Sequence, residues 1–445
     1  MTQIPGMIGV PADGDAPLDT RPAIRLELDR KTRARAAIAG SAGNLIEWYD
    51  FYAYAYTALY FASAFFPEGD RTAQLLNVAA VYAAGFLIRP LGGWYFGRFA
   101  DRRGRRAAMI ASVLLMGAGS LLVAILPTYA TIGAAAPALL LVARLMQGFS
   151  TGGQYGAAAT YLSEIAEPGK RGFYASFQFV TLIGGQLFAL LTIFLLQTAM
   201  TDAAIREWGW RIPFVLGAVL AGVFILFRDA MHETAEPAGK GEEAGSMKTL
   251  IQHPRAMLTV MALSAAGAVT LYTFTTYMQK YLVNTAGMDV ATASRIMLVV
   301  TFAFLLLQPV LGMLSDRIGR RTNLLIFSGG MTLFAVPLLG AIGKVQTVWT
   351  AGLLIFAALA IMSFYTSVSG LFKAELFPAS VRALGVGLGH AIASAIFGGT
   401  AEYAALLLKQ MGHEQAFAWY VSAICAVAFV VALRMKEPRA HGHLH

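Results

Sequence analysis

An all-α membrane protein of twelve transmembrane helices in two six-helix halves is the fold this sequence predicts, on three observations. The 445 residues are 57% hydrophobic and 13% charged, against about 25% charged in a soluble protein, so the chain cannot cover a water-facing surface with polar groups. Continuous apolar runs of about 20 residues, the length of a helical span, recur between polar punctuation. One loop pattern occurs twice, once in each half of the chain. A transmembrane barrel is excluded, because its strands alternate apolar and polar residues.

The elements follow in order. Residues 1–35 hold Pro5, Pro11, Pro17 and Pro22 and a basic stretch ending at Arg35, the composition of a mobile cytoplasmic tail. Residues 36–231 form the N-terminal half, with apolar runs at Ala36–Phe66, Thr72–Gly97, Ala107–Leu126, Pro137–Leu162, Phe173–Gln197 and Ile212–Phe227. A polar linker, 232–254, carries Glu236, Pro237, Gly239, Lys240, Glu242 and Glu243. The C-terminal half, 255–436, repeats the pattern at Met257–Leu282, Thr292–Leu314, Leu324–Ile342, Val348–Phe372, Val381–Leu408 and Ala416–Leu433. Residues 437–445 read as a solvated cytoplasmic tail. Several runs exceed the bilayer thickness, so tilted or protruding helices are predicted.

Orientation comes from the cationic side chains. With both termini in the cytoplasm, the inner segments hold most of the 34 Lys and Arg. That bias accounts for the net charge of +9 without a nucleic-acid partner. The single cysteine, Cys425, excludes a disulfide framework.

The repeated loop reads G-x-x-x-D-R-x-G-R-R, as Gly97, Asp101, Arg102, Gly104, Arg105 and Arg106 after the second run, and as Gly312, Asp316, Arg317, Gly319, Arg320 and Arg321 after the eighth. A looser pair follows the fourth and tenth runs: Glu164, Pro168 and Arg171 match Glu375, Pro378 and Arg382. Two parallel halves are implied, with the substrate between them.

These loops resemble the signature of the major facilitator superfamily. The segment Gly43-Asn44-Leu45-Ile46-Glu47-Trp48-Tyr49-Asp50-Phe51-Tyr52, with Arg89-Pro90 and Arg144-Leu145-Met146-Gln147-Gly148, is similar to the metabolite:proton symporters of that superfamily. Segments around Arg206–Pro213, Tyr272–Leu282 and Phe397–Tyr403 resemble the members that carry 2-oxoglutarate. The resemblance covers residues 36 to 435. It implies a proton-coupled symporter in the bacterial inner membrane that imports a dicarboxylate, 2-oxoglutarate first. Citrate, another organic acid or a zwitterion such as betaine is the alternative cargo, and a membrane metabolite sensor is the alternative class. One departure stands out: the family's Gly-Gly-Glu-Tyr-Gly reads Gly152-Gly153-Gln154-Tyr155-Gly156 here. Gln154 keeps the shape of Glu but cannot ionise, so it resembles a permanently protonated form.

Ionisable residues inside a membrane are costly, by about 2.5–3.5 kcal/mol on insertion scales, and are functional candidates by default. Measured from the run centres, Asp50 lies near the midplane, Arg89 toward the cytoplasm and Arg144 toward the outside. Arg89 offers a planar fork that matches a carboxylate; a structural pair with Glu47 is the rival reading. Asp50 and Arg144 correspond to an acid and a base that act as a proton switch in related sugar porters, with Glu47 and Gln154 as further coupling candidates. Lys280 and Lys373 are the candidates for a second carboxylate, although lysines near helix ends usually snorkel. Tyr52, Gln186 and Tyr365 are polar candidates at cavity depth, and His390 reads as a hydrogen-bonded membrane histidine. By resemblance, Asp101 and Asp316 hold each half against the other on the cytoplasmic side. Arg105 and Arg320 pair there with Glu164 and Glu375, and Arg171 and Arg382 complete the gate. No zinc-ligand pair and no phosphate loop is found, so neither an enzyme nor a cofactor is predicted; the proton is the coupling ion.

Overall fold

The computed structural model describes residues 30–67, 71–224, 226, 245–288 and 290–444. Among these residues the helices group into twelve spans. One half comprises α1 (Arg30–Phe65), α2 (Arg71–Leu87 continued by Arg89–Arg103), α3 (Arg105–Ile125), α4 (Ala135–Ile165), α5 (Arg171–Ala199) and α6 (Ile212–Phe224). The other comprises α7 (Pro254–Tyr272 continued to Asn284), α8 (Val290–Ile318), α9 (Arg320–Ile342), α10 (Val348–Thr366 with Ser369–Glu375), α11 (Arg382–Ala393 continued to Gln410) and α12 (Glu414–Arg434). The predicted first tail up to residue 29 and the linker up to residue 244 lie outside the described residues.

Eight helical runs among the described residues are long and apolar enough to cross a membrane. Their outward side chains stay uncovered by protein: Leu333, Leu353 and Trp349 are 70%, 68% and 84% exposed, which suits a hydrocarbon solvent and not water. Of the other four spans, α6 is a shorter apolar helix, and α1, α2 and α4 are less apolar. They carry the buried polar groups Glu47, Asp50, Arg89, Arg144, Gln147 and Gln154. A helix that lines a polar interior does not need to be apolar all round.

Four spans are interrupted. Pro90 stands at the start of the second segment of α2, after Ile88. It has no N–H, and its ring disfavours a continuous helix. A π-helical turn interrupts α7 at Thr273–Tyr277 and another interrupts α11 at Ser394–Gly398. In α10 the helix breaks between Thr366 and Ser369. Each interruption flanks the space between the halves.

The halves meet through α2 and α4 against α11, and through α5 against α8. Small residues set the distance. A Cβ on Gly172 of α5 would meet the carbonyl of Gly312 on α8, and a Cβ on Gly312 would meet that of Gly172. Close backbone approach of this kind is the packing mode available to membrane helices. Gly172→Leu is therefore expected to keep this face from closing. Cysteines placed on the two sides of the α5–α8 contact should cross-link in the parent and lose most of that cross-linking in the variant.

Candidate functional site

The site is assembled from the break in α2 outward. Arg89, the first residue after the break, is 4% exposed. Its guanidinium carbon lies 3.8 Å from the Phe86 ring centre, 4.7 Å from Phe51 and 5.8 Å from Trp48, close enough for cation–π attraction. Its Nε and Nη2 have no hydrogen-bond partner. Glu47 lines the same cavity, and its Oε2 is likewise unpartnered. A buried guanidinium with two free donors is a ready anion site.

Arg89 and Thr151 form the common wall of two cavities. The larger lies between the halves: Glu47, Trp48 and Tyr155 face His390, Ala391 and Ser394 of α11. The smaller lies within the first half and is lined by Asp50, Arg144 and Gln147. Arg89 and Arg144 therefore border one cavity. Along the paired helices they stand at different levels, Arg89 beside Gly152 and Arg144 beside Gly85.

Asp50 is fully buried. It accepts hydrogen bonds from Ser120 Oγ and from Gln147 Nε2. Arg144 donates to Gln147 Oε1 at 2.6 Å, so the amide relays the acid to the base where a direct pair was expected. The Arg144 guanidinium also stacks 4.2 Å from the Tyr54 ring centre. Gln147 and Ser120 were not singled out from the sequence; the signal available was the Arg144–Gln147 spacing of three, one turn along a helix face.

Lys373 does not snorkel: its side chain is completely buried. Its Nζ donates to Tyr155 Oη at 2.7 Å and to Ser369 Oγ at 3.0 Å, and lies 3.3 Å from His390 Nδ1. The His390 ring stacks on Tyr155 at 3.6 Å between centres. Tyr155 belongs to the first half and the other three to the second, so this cluster bridges the halves at the wall of the larger cavity. Tyr155 and His390 gain a place in the site that their sequence context did not give them.

Other candidates stand elsewhere. Gln154 is buried inside the first half. Its Oε1 accepts from Ser112 Oγ of α3, its Nε2 lies over Gly43 of α1, and it lines neither cavity. Its position on α4 turns this coupling candidate toward α1 and α3. Tyr52 stacks on Tyr56, 5.9 Å between ring centres, and Gln186 donates to Tyr56 Oη at 3.3 Å. These residues pack beside the cavities without lining them. Tyr365 packs within the second half, 5.0 Å from the Phe327 ring. Lys280 stands on α7, and its side chain lies outside the described residues.

On the face of the repeated loops, each letter of the motif has a physical task. Gly104 and Gly319 take φ of 99° and 90°, which favours glycine. Gly97 packs against Leu384 of α11 as Gly312 does against Gly172. The aspartates cap helices of the opposite half. Asp101 accepts from the N–H of Ala383 at 3.1 Å and Leu384 at 2.9 Å, at the start of α11. Asp316 accepts from Gly172 at 2.8 Å and Phe173 at 3.2 Å, at the start of α5. Neither helix has a side-chain cap of its own at Lys170 or Val381. Arg105 holds Asp101 at 2.5 Å and Glu164 at 3.4 Å; Arg320 holds Asp316 at 3.0 Å and Glu375 at 3.6 Å. Arg382 crosses the halves to Glu164 at 2.7 Å. Arg171 donates to the carbonyl of Leu444 at 2.9 Å.

A Major Facilitator Superfamily profile matches residues 50–401 and 287–444. The chain belongs to the major facilitator superfamily. It is 57% identical over 410 residues, 92% of this chain and 95% of the relative, to the alpha-ketoglutarate permease of Escherichia coli (strain K12). It is 32% identical to the citrate-proton symporter of Salmonella typhi, over 91% of this chain and 95% of that one. It is also 32% identical to the proline/betaine transporter of Escherichia coli (strain K12), over 92% and 84%. Among solved structures, the proton:xylose symporter XylE bound to 6-bromo-6-deoxy-D-glucose superposes with a TM-score of 0.76 at 16% identity, covering 91% of this chain and 95% of that one. This likeness shows the fold. The protein is thus a multi-pass membrane transporter and not an enzyme.

Each N–H donated to an aspartate carboxylate contributes about 1.5–3 kcal/mol, as a hydrogen bond to a charged group. Asp101→Asn weakens both acceptor bonds at the start of α11 and the hold of Arg105. The variant is expected to expose this face, raising thiol-labelling rates of a cysteine at the α4–α11 contact by about tenfold or more. An unchanged labelling rate would show that the cap does not hold the halves together.

Proposed function

We propose that this chain is a proton-coupled symporter that imports a dicarboxylate, 2-oxoglutarate first, by alternating access between its two halves. The observation that carries the reading is Arg89. It is a buried guanidinium with two unpartnered donors, on the wall of the cavity between the halves. The name of the 57% identical relative supports the choice of cargo. Lys373, buried with hydroxyl partners in the Tyr155–His390 cluster, supplies the second cation for a substrate with two carboxylates. Arg89 on the cavity wall and Lys373 behind its Tyr155 and His390 lining favour a dianion over a zwitterion such as betaine, whose positive charge they would repel.

The residues 36–231 and 255–436 rock as two bodies joined by the linker 232–254. Asp101, Arg105, Glu164, Arg171, Asp316, Arg320, Glu375 and Arg382 form the cytoplasmic gate. Both termini, 1–35 and 437–445, face the cytoplasm of a bacterial inner membrane. Tyr52 and Gln186 pack beside the cavities as further polar contacts for cargo, Lys280 stays a candidate for the second carboxylate, and Tyr365 supports the wall behind Lys373. The smaller cavity carries the proton. Asp50 is its acid, Gln147 the bridging amide, Arg144 the fixed cation that exchanges partners with it, and Glu47 the acid beside the substrate. Gln154 holds α4 against α1 and α3 by hydrogen bonding, without ionising. No cofactor takes part.

Two outcomes test this reading in proteoliposomes. Labelled 2-oxoglutarate should accumulate and be competed by short 2-oxo dicarboxylates but not by betaine or neutral sugars. Arg89→Lys should weaken binding about tenfold or more, since a point charge does not replace the fork; unchanged affinity removes Arg89 from the site. An inward proton gradient should drive accumulation by the parent chain. Asp50→Asn should bind 2-oxoglutarate within about threefold of the parent yet lose gradient-driven uptake, a split between binding and coupling. Parent-like accumulation by Asp50→Asn would transfer the proton to Glu47.

A further inference from the structure

The two looser loop motifs are matched in sequence but not in contacts. In the first, Glu164 receives Arg382 from the opposite half at 2.7 Å. Its counterpart would be Glu375 receiving Arg171. Instead Arg171 donates to the carbonyl of Leu444, and Glu375 keeps only its ion pair with Arg320 at 3.6 Å, with no hydrogen bond to either carboxylate oxygen. The segment after α12 occupies the place where the second pair would form.

That segment is held at several points on both halves. Glu437 accepts from the N–H of Arg320 at 2.8 Å and of Arg321 at 3.0 Å, capping α9, whose own cap residue Gly319 has no side chain. Arg439 donates to the Asp316 carbonyl at 2.5 Å. The His443 N–H donates to the Glu375 carbonyl at 2.8 Å, and the His443 carbonyl accepts from Arg382 at 3.1 Å. Gly442 passes so close to the Glu375 carbonyl that a Cβ there would collide with it. Leu444 is 4% exposed and clusters with Ala175 of α5 and Leu371 of α10. An apolar side chain is thus wedged between one residue from each half, on a face that must open for cargo to leave. The solvated tail expected from composition is replaced by a docked one.

We propose that residues 437–444 are an internal latch, docked in a site made by both halves, that holds the gate face closed and must release before that face opens. The inference rests on the alternating-access reading above. Separation of α5 from α10 takes Ala175 away from Leu371, so Leu444 loses one side of its site. Separation also parts Arg171 from the segment anchored on α9. The anchor at Glu437 stays with the second half, so the latch swings with that half and need not unfold. The short helix Ser369–Glu375 carries Lys373 of the cavity cluster and, two residues on, the Glu375 carbonyl that receives His443. Movement of that helix on cargo binding therefore reaches the latch directly.

The test uses spin labels at Lys170→Cys and Arg317→Cys, both exposed, outside the network and on opposite halves, with Cys425 buried. Distances are measured in lipid nanodiscs without cargo. Deletion of 436–445 and the single change Leu444→Glu should each raise the long-distance, gate-open share several-fold. Gly442→Ala should do the same through its collision with Glu375, and Leu444→Met should keep the parent distribution. Parent-like distances in both the deletion and Leu444→Glu, or a rise in the closed share, overturn the latch. Should the deletion prove unstable in a melting scan, Gly442→Ala decides alone, because it removes no side-chain contact of the spans. The readout needs no substrate. A failed cargo assignment leaves the distance result standing, and a failed latch leaves uptake unexplained only in its regulation.

Discussion

A carboxylate seated on the first N–H groups of a helix in the other half is the contact from which the rest of this structure follows. Helix starts leave N–H groups unsatisfied, and inside a membrane protein such groups are expensive. Here α5 and α11 begin without caps of their own, and Asp316 and Asp101 supply them from across the interface. The capping is reciprocal: each half completes a helix of the other. An anion at a helix start also gains from the dipole, about 0.3–2 kcal/mol according to burial. The remaining motif residues serve this seat. The glycines let backbones approach or turn, and Arg105 and Arg320 fix the aspartates one helical turn away.

Such an attachment is strong when closed and tolerable when open. Separated aspartates and helix starts meet water on an opened face, so the cost of parting is the difference between protein and water hydrogen bonds and not their full strength. A hydrophobic seam of the same area would have no comparable partner on opening. Polar capping at the interface thus limits the cost of parting, which a rocking transporter requires.

Deeper in the molecule the charges are neutralised differently. Arg89 rests on three aromatic faces, Lys373 on hydroxyls, and Asp50 on a hydroxyl and an amide. A direct buried ion pair would satisfy these groups so well that an incoming ion could not compete. Dipoles and ring faces keep them in place while leaving electrostatic demand unfilled. Arg89 lines both cavities.

What the sequence determined by itself was whatever depends on local composition and spacing. Apolar runs of bilayer length, the cationic loops and the duplicated G-x-x-x-D-R-x-G-R-R motif specify a two-half helical transporter. The pairing of Arg105 with Glu164 and of Arg320 with Glu375 was also legible, through the resemblance that the motif carries. Rotation about each helix axis was not legible, because long spans with polar residues on several sides have no single apolar stripe to orient them. That rotation decided that Gln154 faces α1 and α3, that Tyr155 and His390 meet Lys373 across the interface, and that Gln147 stands between Asp50 and Arg144. The docking of residues 437–444 was likewise a tertiary outcome. Its site exists only when α5, α9 and α10 are brought together from both halves, so nothing in the short polar segment itself announces that Leu444 is buried.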